Sequence, residues 1–176
     1  MPTLRTIGHS TDTIDAFVQR LHAHAIELVA DVRRFPGSRR HPQFGPTLPA
    51  ALAEAGIDYR HFEALGGRRR PRPDSRNGVW RSEAFRGYAD HMASAAYRGA
   101  FAQLAALAAD RRCAVMCAER LWWQCHRSML ADDFTLHGWQ VEHILGPDAP
   151  APHAFREPAW LDGDVPVYGE AQARLF

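Results

Sequence analysis

The stretch ELVADVR, residues 27–33, is a continuous apolar run closed by an acid and an arginine. A strand buried on both faces reads this way, and such strands belong to parallel sheets covered by helices. The flanking sequence agrees. LRTIGHS, residues 4–10, is a short apolar strand ending in polar groups. Asp12 and Asp15 give a capping-box-like helix start, and Ile14, Phe17, Val18 and Leu21 follow at helical spacing. RFPGSRRHPQFGP, residues 34–46, is too rich in Pro and Gly for regular structure. TLPAALAEAG, residues 47–56, predicts a short helix with Pro49 in its first turn and Gly56 after its end, and IDYRHF, residues 57–62, a third strand.

The second half repeats the alternation. LGGRRRPRPDSRNG, residues 65–78, is a basic loop. Residues 82–110 carry helical spacing that Gly99 weakens, so two consecutive helices are expected. RCAVMCAE, residues 112–119, is a fourth strand; CHRSMLADDFTLHG, residues 125–138, a helix; WQVEHIL, residues 139–145, a fifth strand. The predicted class is α/β: a three-layer, Rossmann-like fold with a mainly parallel sheet of about five strands and helices on both faces. Residues 1–146 form the expected single domain. Residues 147–176 form a Pro-rich C-terminal tail with little regular structure.

In open parallel sheets the ligand site lies beyond the carboxyl ends of the strands. Polar groups gather there at every expected strand: His9 and Ser10, then Asp31, Arg33 and Arg34, then Arg60 and His61, then Cys117 and Glu119, then His143. One shared pocket accounts for this. Cys113 lies four residues before Cys117 on the same strand, about 13 Å away, and is a core residue. Cys117 and Cys125 can meet if the loop between them folds back. With His126 they offer thiolate and imidazole, but C-x7-C-H is not a familiar zinc spacing and no fourth ligand is evident, so no metal or cofactor is assigned. His126 and Arg127 place cations at a helix start, where the dipole favours anions. Either an anion sits between them, in a pocket completed by Arg33, or Arg127 pairs with Asp31 or Glu119. A helix start also lowers a thiol pKa, so Cys117 or Cys125 is a candidate nucleophile or else a buried filler. Glu119 is a candidate acid or base.

Asp31 and Arg33 point the same way on a strand, as a structural pair or as an arginine held ready for a ligand. Ser38 and Arg39 lie in the following loop and either cover the pocket or stay solvated. Ser10 is a helix cap or a site residue, and His9 beside it a candidate general base. Of Trp122 and Trp123, one is expected to be exposed, for stacking on a base or ring, unless the pair packs as a lid.

The net charge is +1 and every basic residue is arginine. Arg60, Arg68, Arg69, Arg70, Arg72, Arg76, Arg81 and Arg86 face only Glu63, Asp74 and Glu83, a local excess suited to phosphates. No apolar run approaches the ~20 residues of a membrane span, so no membrane partner is expected. MPTLRTIGHS lacks the layout of a signal peptide, and a cytoplasmic location with reduced thiols follows by default. The tail QARLF looks like the short peptide by which bacterial DNA polymerases and repair proteins dock on the sliding clamp. Gln172, Leu175 and Phe176 match it, and Ala173 departs from the usual aliphatic residue. The alternative is that the tail docks on its own domain.

TIGHS, DVRRFPGSRRHPQF, YRHFEALGG and CAERLWWQCHR occur in the order that resembles the bacterial domain-of-unknown-function 488 family, over residues 4 to about 145. The resemblance implies a compact α/β domain and a shared site containing Asp31, Arg33, Ser38, Arg39, Cys117, Glu119, Cys125, His126 and Arg127. It implies no reaction. The residues themselves suggest an enzyme acting on a phosphate-bearing substrate, a nucleotide or nucleic acid. The rivals are a non-catalytic DNA-associated adaptor and a thiol or metal sensor.

Overall fold

A computed structural model describes residues 1–169. Five parallel strands form the sheet: β1 (Thr3–Gly8), β2 (Leu28–Asp31), β3 (Asp58–His61), β4 (Cys113–Cys117) and β5 (Gln140–Ile144). A short antiparallel strand, β6 (Ala151–Pro152), closes one edge, giving the order β3-β2-β4-β1-β5-β6. The helices are α1 (Ile14–Ala23), α2 (Leu48–Glu54), α3 (Glu83–His91), α4 (Ala95–Asp110) and α5 (Arg127–Leu136).

Strand β4 shows why the fold has three layers. Its alternate residues feed two separate cores. Ala114 and Met116 join Phe17 and Leu21 of α1 and Leu48 and Leu52 of α2. Cys113, Val115 and Cys117 join Tyr88 of α3, Tyr97, Phe101 and Leu104 of α4, and Met129 and Phe134 of α5. Burying each large apolar side chain contributes about 1.5–3 kcal/mol, which is why both faces of β4 are apolar. The expected three-layer α/β fold is present.

Three local expectations need correction. Thr13, not Asp12, caps α1, its hydroxyl accepting from the Ala16 N–H; Asp12 instead binds the buried guanidinium of Arg20 at 2.5 Å. The break between α3 and α4 falls at Met92–Ser94, where Ser94 caps α4, and Gly99 lies inside α4. A cap hydroxyl specifies a start more strongly than one interior glycine specifies a stop. The proline-rich tail has more structure than its composition suggests. Besides β6 it forms a hairpin, β7 (Trp160–Asp162) with β8 (Val165–Val167), and Tyr168 is fully buried. Proline is tolerated there because the strands are short and lie at edges.

The topology fixes where a ligand site belongs. The chain leaves β1 through α1 toward β2 and leaves β4 through α5 toward β5. Those helices lie on opposite faces, so the switch point falls between the carboxyl ends of β1 and β4. Among the described residues, no helix is long and apolar enough to cross a membrane.

Candidate functional site

Just after the end of β4, the loop to α5 folds back and brings Cys117 and Cys125 together, with their sulfurs 2.8 Å apart. Gly8 makes this path available. A Cβ there would lie 1.8 Å from the Glu119 carbonyl oxygen, because that loop crosses directly over β1. The contact is with backbone and cannot be relieved by a rotamer change. Gly8→Ala is therefore expected to destabilise the fold by about 3 kcal/mol; a thermal unfolding midpoint within a degree of wild type would show that the loop yields freely.

Both thiols are buried, yet they line a cavity of about 350 Å³ with Glu119, His126, Tyr88 and Arg34 in its wall. Arg127, the first residue of α5, is 1% exposed. Its Nη2 donates to the Arg120 carbonyl at 3.1 Å, while Nε and Nη1 meet no partner. Among the described residues it makes no ion pair. Asp31 is fully occupied elsewhere, and Glu119 stands exposed at the rim. A buried cation without a carboxylate needs another negative group. The thiol pair answers to that description. The Arg127 backbone N–H donates to the Cys125 sulfur at 3.3 Å. Burial alone would push both thiols up. At Cys117 the Cys125 hydrogen bond and the Arg127 charge outweigh it and bring the thiol down to about 7. Burial and the neighbouring Cys117 sulfur drive Cys125 well above the usual thiol range. Cys117 is thus the member of the pair whose ionisation is favoured, and Cys125 the one that holds its proton more tightly. Cys113 sits apart in the core, pushed up to about 11 by burial.

His126 shares the cavity. Its Nε2 lies 3.0 Å from the Val32 carbonyl oxygen, which only accepts, so Nε2 carries the proton and Nδ1 is bare. Burial, with Arg127 adding to it, lowers its pKa to about 4. Gly67 packs on Nδ1, where a Cβ would lie 2.9 Å away.

The other residues expected at the site separate into two groups. Arg33 reaches the cavity wall, but Asp31 holds it through Nε at 2.9 Å and Nη2 at 2.7 Å, and its Nη1 donates to the Phe44 carbonyl. Tyr59 adds a hydroxyl to Asp31 at 2.5 Å. His9 is buried behind this cluster, stacked on Phe44 at 4.2 Å, and does not line the cavity. Its Nδ1 donates to the Ser10 carbonyl, and burial lowers its pKa to about 4. Ser10, Ser38 and Arg39 also lie outside the cavity wall. Ser10 is no helix cap but a left-handed residue (φ 49) bonded to the Ala118 carbonyl. The Ser38 hydroxyl accepts from the His41 N–H, and Arg39 is exposed. Of the tryptophans, Trp122 packs flat on His143 at 4.4 Å and Trp123 is half-exposed. Gln172, Leu175 and Phe176 lie outside the described residues.

Two features escaped the sequence. The first is a wider groove of about 560 Å³, lined by Arg34, Arg68, Arg69, Arg70 and Arg72 with Asp90 as its carboxylate. Arg34 and Arg68 line both cavities, so the two adjoin. The excess of eight arginines over three acids between Arg60 and Arg86 pointed to this loop, but not to its meeting with the cysteines. The second is a buried polar chain. Thr6 bonds His143 (2.6 Å), His143 bonds His153 (2.9 Å), and His153 bonds Asp132 (2.6 Å), which also accepts from Tyr168. His153 and Tyr168 come from the tail, so this chain ties the tail to the sheet. No motif signals it. Among the described residues, no three His, Cys, Asp or Glu side chains converge as a metal cluster.

Buried neutral histidines give the fold an acid weakness. Burial lowers His9 and His126 to about 4 and pushes His143 lower still. Their unfolded values lie near 6.5. Protons therefore bind the unfolded chain first, and the stability these groups contribute is present above pH ~6.5 and lost as pH falls toward and through about 4. Asp132, raised by burial, and His137, raised by its Asp133 hydrogen bond, act in the opposite sense near pH 4 and pH 6.5. Urea unfolding is expected to lose up to about 1.4 kcal/mol per pH unit for each of the three histidines in that window. A profile flat from pH 7 to 5 would contradict this.

No curated protein and no solved structure matches the chain. A family match does exist, to the domain of unknown function DUF488, over residues 13–134. That range spans α1 to α5 and includes both cysteines of the pair, Arg127 and the arginine loop, while the TIGHS motif falls just before it. Because the match takes in well over half of its length, the chain belongs to the DUF488 family.

Proposed function

We propose that the protein is an enzyme acting on a phosphate-bearing substrate, a nucleotide or nucleic acid, through the thiol pair. The observation that carries this reading is Arg127: a buried guanidinium with no carboxylate, beside a thiol brought down to about 7. Strongly perturbed groups in a cleft at a topological switch point favour catalysis over packing. In this reading Cys117 is the nucleophile and Cys125 donates a hydrogen bond to its thiolate. Arg127 holds that charge from behind. Glu119, exposed at the rim, is the acid or base, with the bare Nδ1 of His126 assisting. Arg34 and Arg68 take the phosphate, a task the sequence assigned to Arg33, Arg39 and Arg127. A cytoplasmic setting, where thiols stay reduced, suits such a nucleophile.

The reading is tested by titrating a nucleoside monophosphate against tryptophan fluorescence, since Trp122 and Trp123 lie in the loop that carries Cys125. Saturable binding is expected. Cys117→Ser is expected to leave binding intact and abolish any turnover. Binding of neither the monophosphate nor a nucleic-acid strand, or full turnover in Cys117→Ser, would refute the enzyme reading. The 2.8 Å approach of the two sulfurs also favours a second reading, a thiol sensor that closes Cys117 and Cys125 into a disulfide under oxidant. It predicts a loss of two hydrogens in intact mass after mild peroxide treatment, reversed by a dithiol.

A further inference from the structure

We propose that the substrate class of this site is single-stranded nucleic acid, with Phe35 as a stacking platform for one base and the arginine groove as the track for its phosphates. The proposal rests on the phosphate-bearing reading above and narrows it.

Phe35 is the starting point. It is 61% exposed, although a benzene ring in water is unfavourable. It stands at the mouth of the thiol cavity and lines it. The guanidinium carbons of Arg34 and Arg68 lie 5.2 and 5.8 Å from its ring centroid. An aromatic face flanked by two cations is the arrangement in which a base stacks while neighbouring phosphates are neutralised. Arg68 is also held in a left-handed conformation (φ 59), a strained state that collects at binding sites.

The charge around it exceeds what one phosphate needs. The adjoining groove presents five arginines with one carboxylate in its wall. Some are partly spent: Arg34 and Arg69 reach Glu63 at 3.3 and 3.4 Å, and Arg72 pairs with Asp74. Arg68 and Arg70 make no ion pair among the described residues. Arg68 lines both cavities and Arg70 lines the groove beside it, so a chain laid in the groove would bring a base to Phe35 and the next group to Cys117. A base within a duplex is already stacked on both sides and cannot use the Phe35 face.

The test is fluorescence anisotropy with a labelled twelve-nucleotide single strand, as DNA and as RNA, and with the matching duplex. A parallel tryptophan-fluorescence titration uses a nucleoside monophosphate. The single strand is expected to bind at least tenfold tighter than duplex or monophosphate. Phe35→Ala, at an exposed position, is expected to weaken single-strand binding about tenfold. Arg68→Ala with Arg70→Ala is expected to flatten the slope of log K against log salt by about 1.4, two phosphates at 0.7 each. Duplex binding as tight as single strand, or an unchanged affinity in Phe35→Ala, overturns the inference. If the monophosphate binds and the single strand binds no tighter, the inference fails while the phosphate-bearing reading stands. If none of the three binds, both fail.

Discussion

Asp31→Ala is expected to remove about 3–5 kcal/mol of stability, the largest loss from any single substitution near the site. Asp31 is fully buried and accepts four hydrogen bonds: two from the Arg33 guanidinium, one from the Arg33 backbone N–H and one from the Tyr59 hydroxyl. Alanine would leave Arg33, only 8% exposed, as an uncompensated cation and would orphan Tyr59. The damage would spread, because Arg33 also fixes the loop after β2 through the Phe44 carbonyl. For a chain of this size the loss corresponds to a fall of roughly 10 °C or more in the melting midpoint. A loss below 1 kcal/mol in urea unfolding would mean that the pair is dispensable.

Arg127→Gln is expected to act on chemistry more than on stability. Removing this charge leaves the Cys117 thiolate to its hydrogen bonds with Cys125 and the Glu119 backbone, against full burial. The thiol should then return toward its ordinary range near 8.5 or above, leaving only a few per cent ionised at pH 7. Alkylation of Cys117 by iodoacetamide at pH 7, followed by peptide mass spectrometry, is expected to slow by about tenfold, while Arg127→Lys keeps much of the wild-type rate. Stability should change little or rise, since a buried cation without a carboxylate is removed along with its desolvation penalty. Equal alkylation rates in Arg127→Gln and wild type would detach the arginine from the thiols.

The fold was legible because its signals are local. ELVADVR could only be a doubly buried strand, and the alternation around it left few topologies. The site was legible in part, for the same reason. Cys117, Cys125, His126 and Glu119 share one strand end, one loop and one helix start, so the strand-end rule gathered them. Its arginines were not. Arg33 and Arg34 are adjacent in sequence, yet Asp31 captures the first and leaves the second to the cavities. Strand parity pairs Asp31 with Arg33, but that Tyr59 from the next strand and the Phe44 carbonyl complete the hold and leave Arg34 for the cavities is not visible in a motif. Phe35 escaped because exposure is a tertiary property. The bond chain from Thr6 to Tyr168 escaped because its members come from four segments, β1, α5, β5 and the proline-rich tail.

If Cys117 is the nucleophile proposed above, it ionises near neutrality beside Arg127 while Cys125 keeps its proton. Thiolate absorbance at 240 nm, followed from pH 5 to 9 on the reduced protein, tests it most directly. One thiolate is expected to appear with a midpoint near 7 in wild type and to be lost in Cys117→Ser. No thiolate below pH 8 in wild type, or a midpoint unchanged in Cys117→Ser, would contradict it.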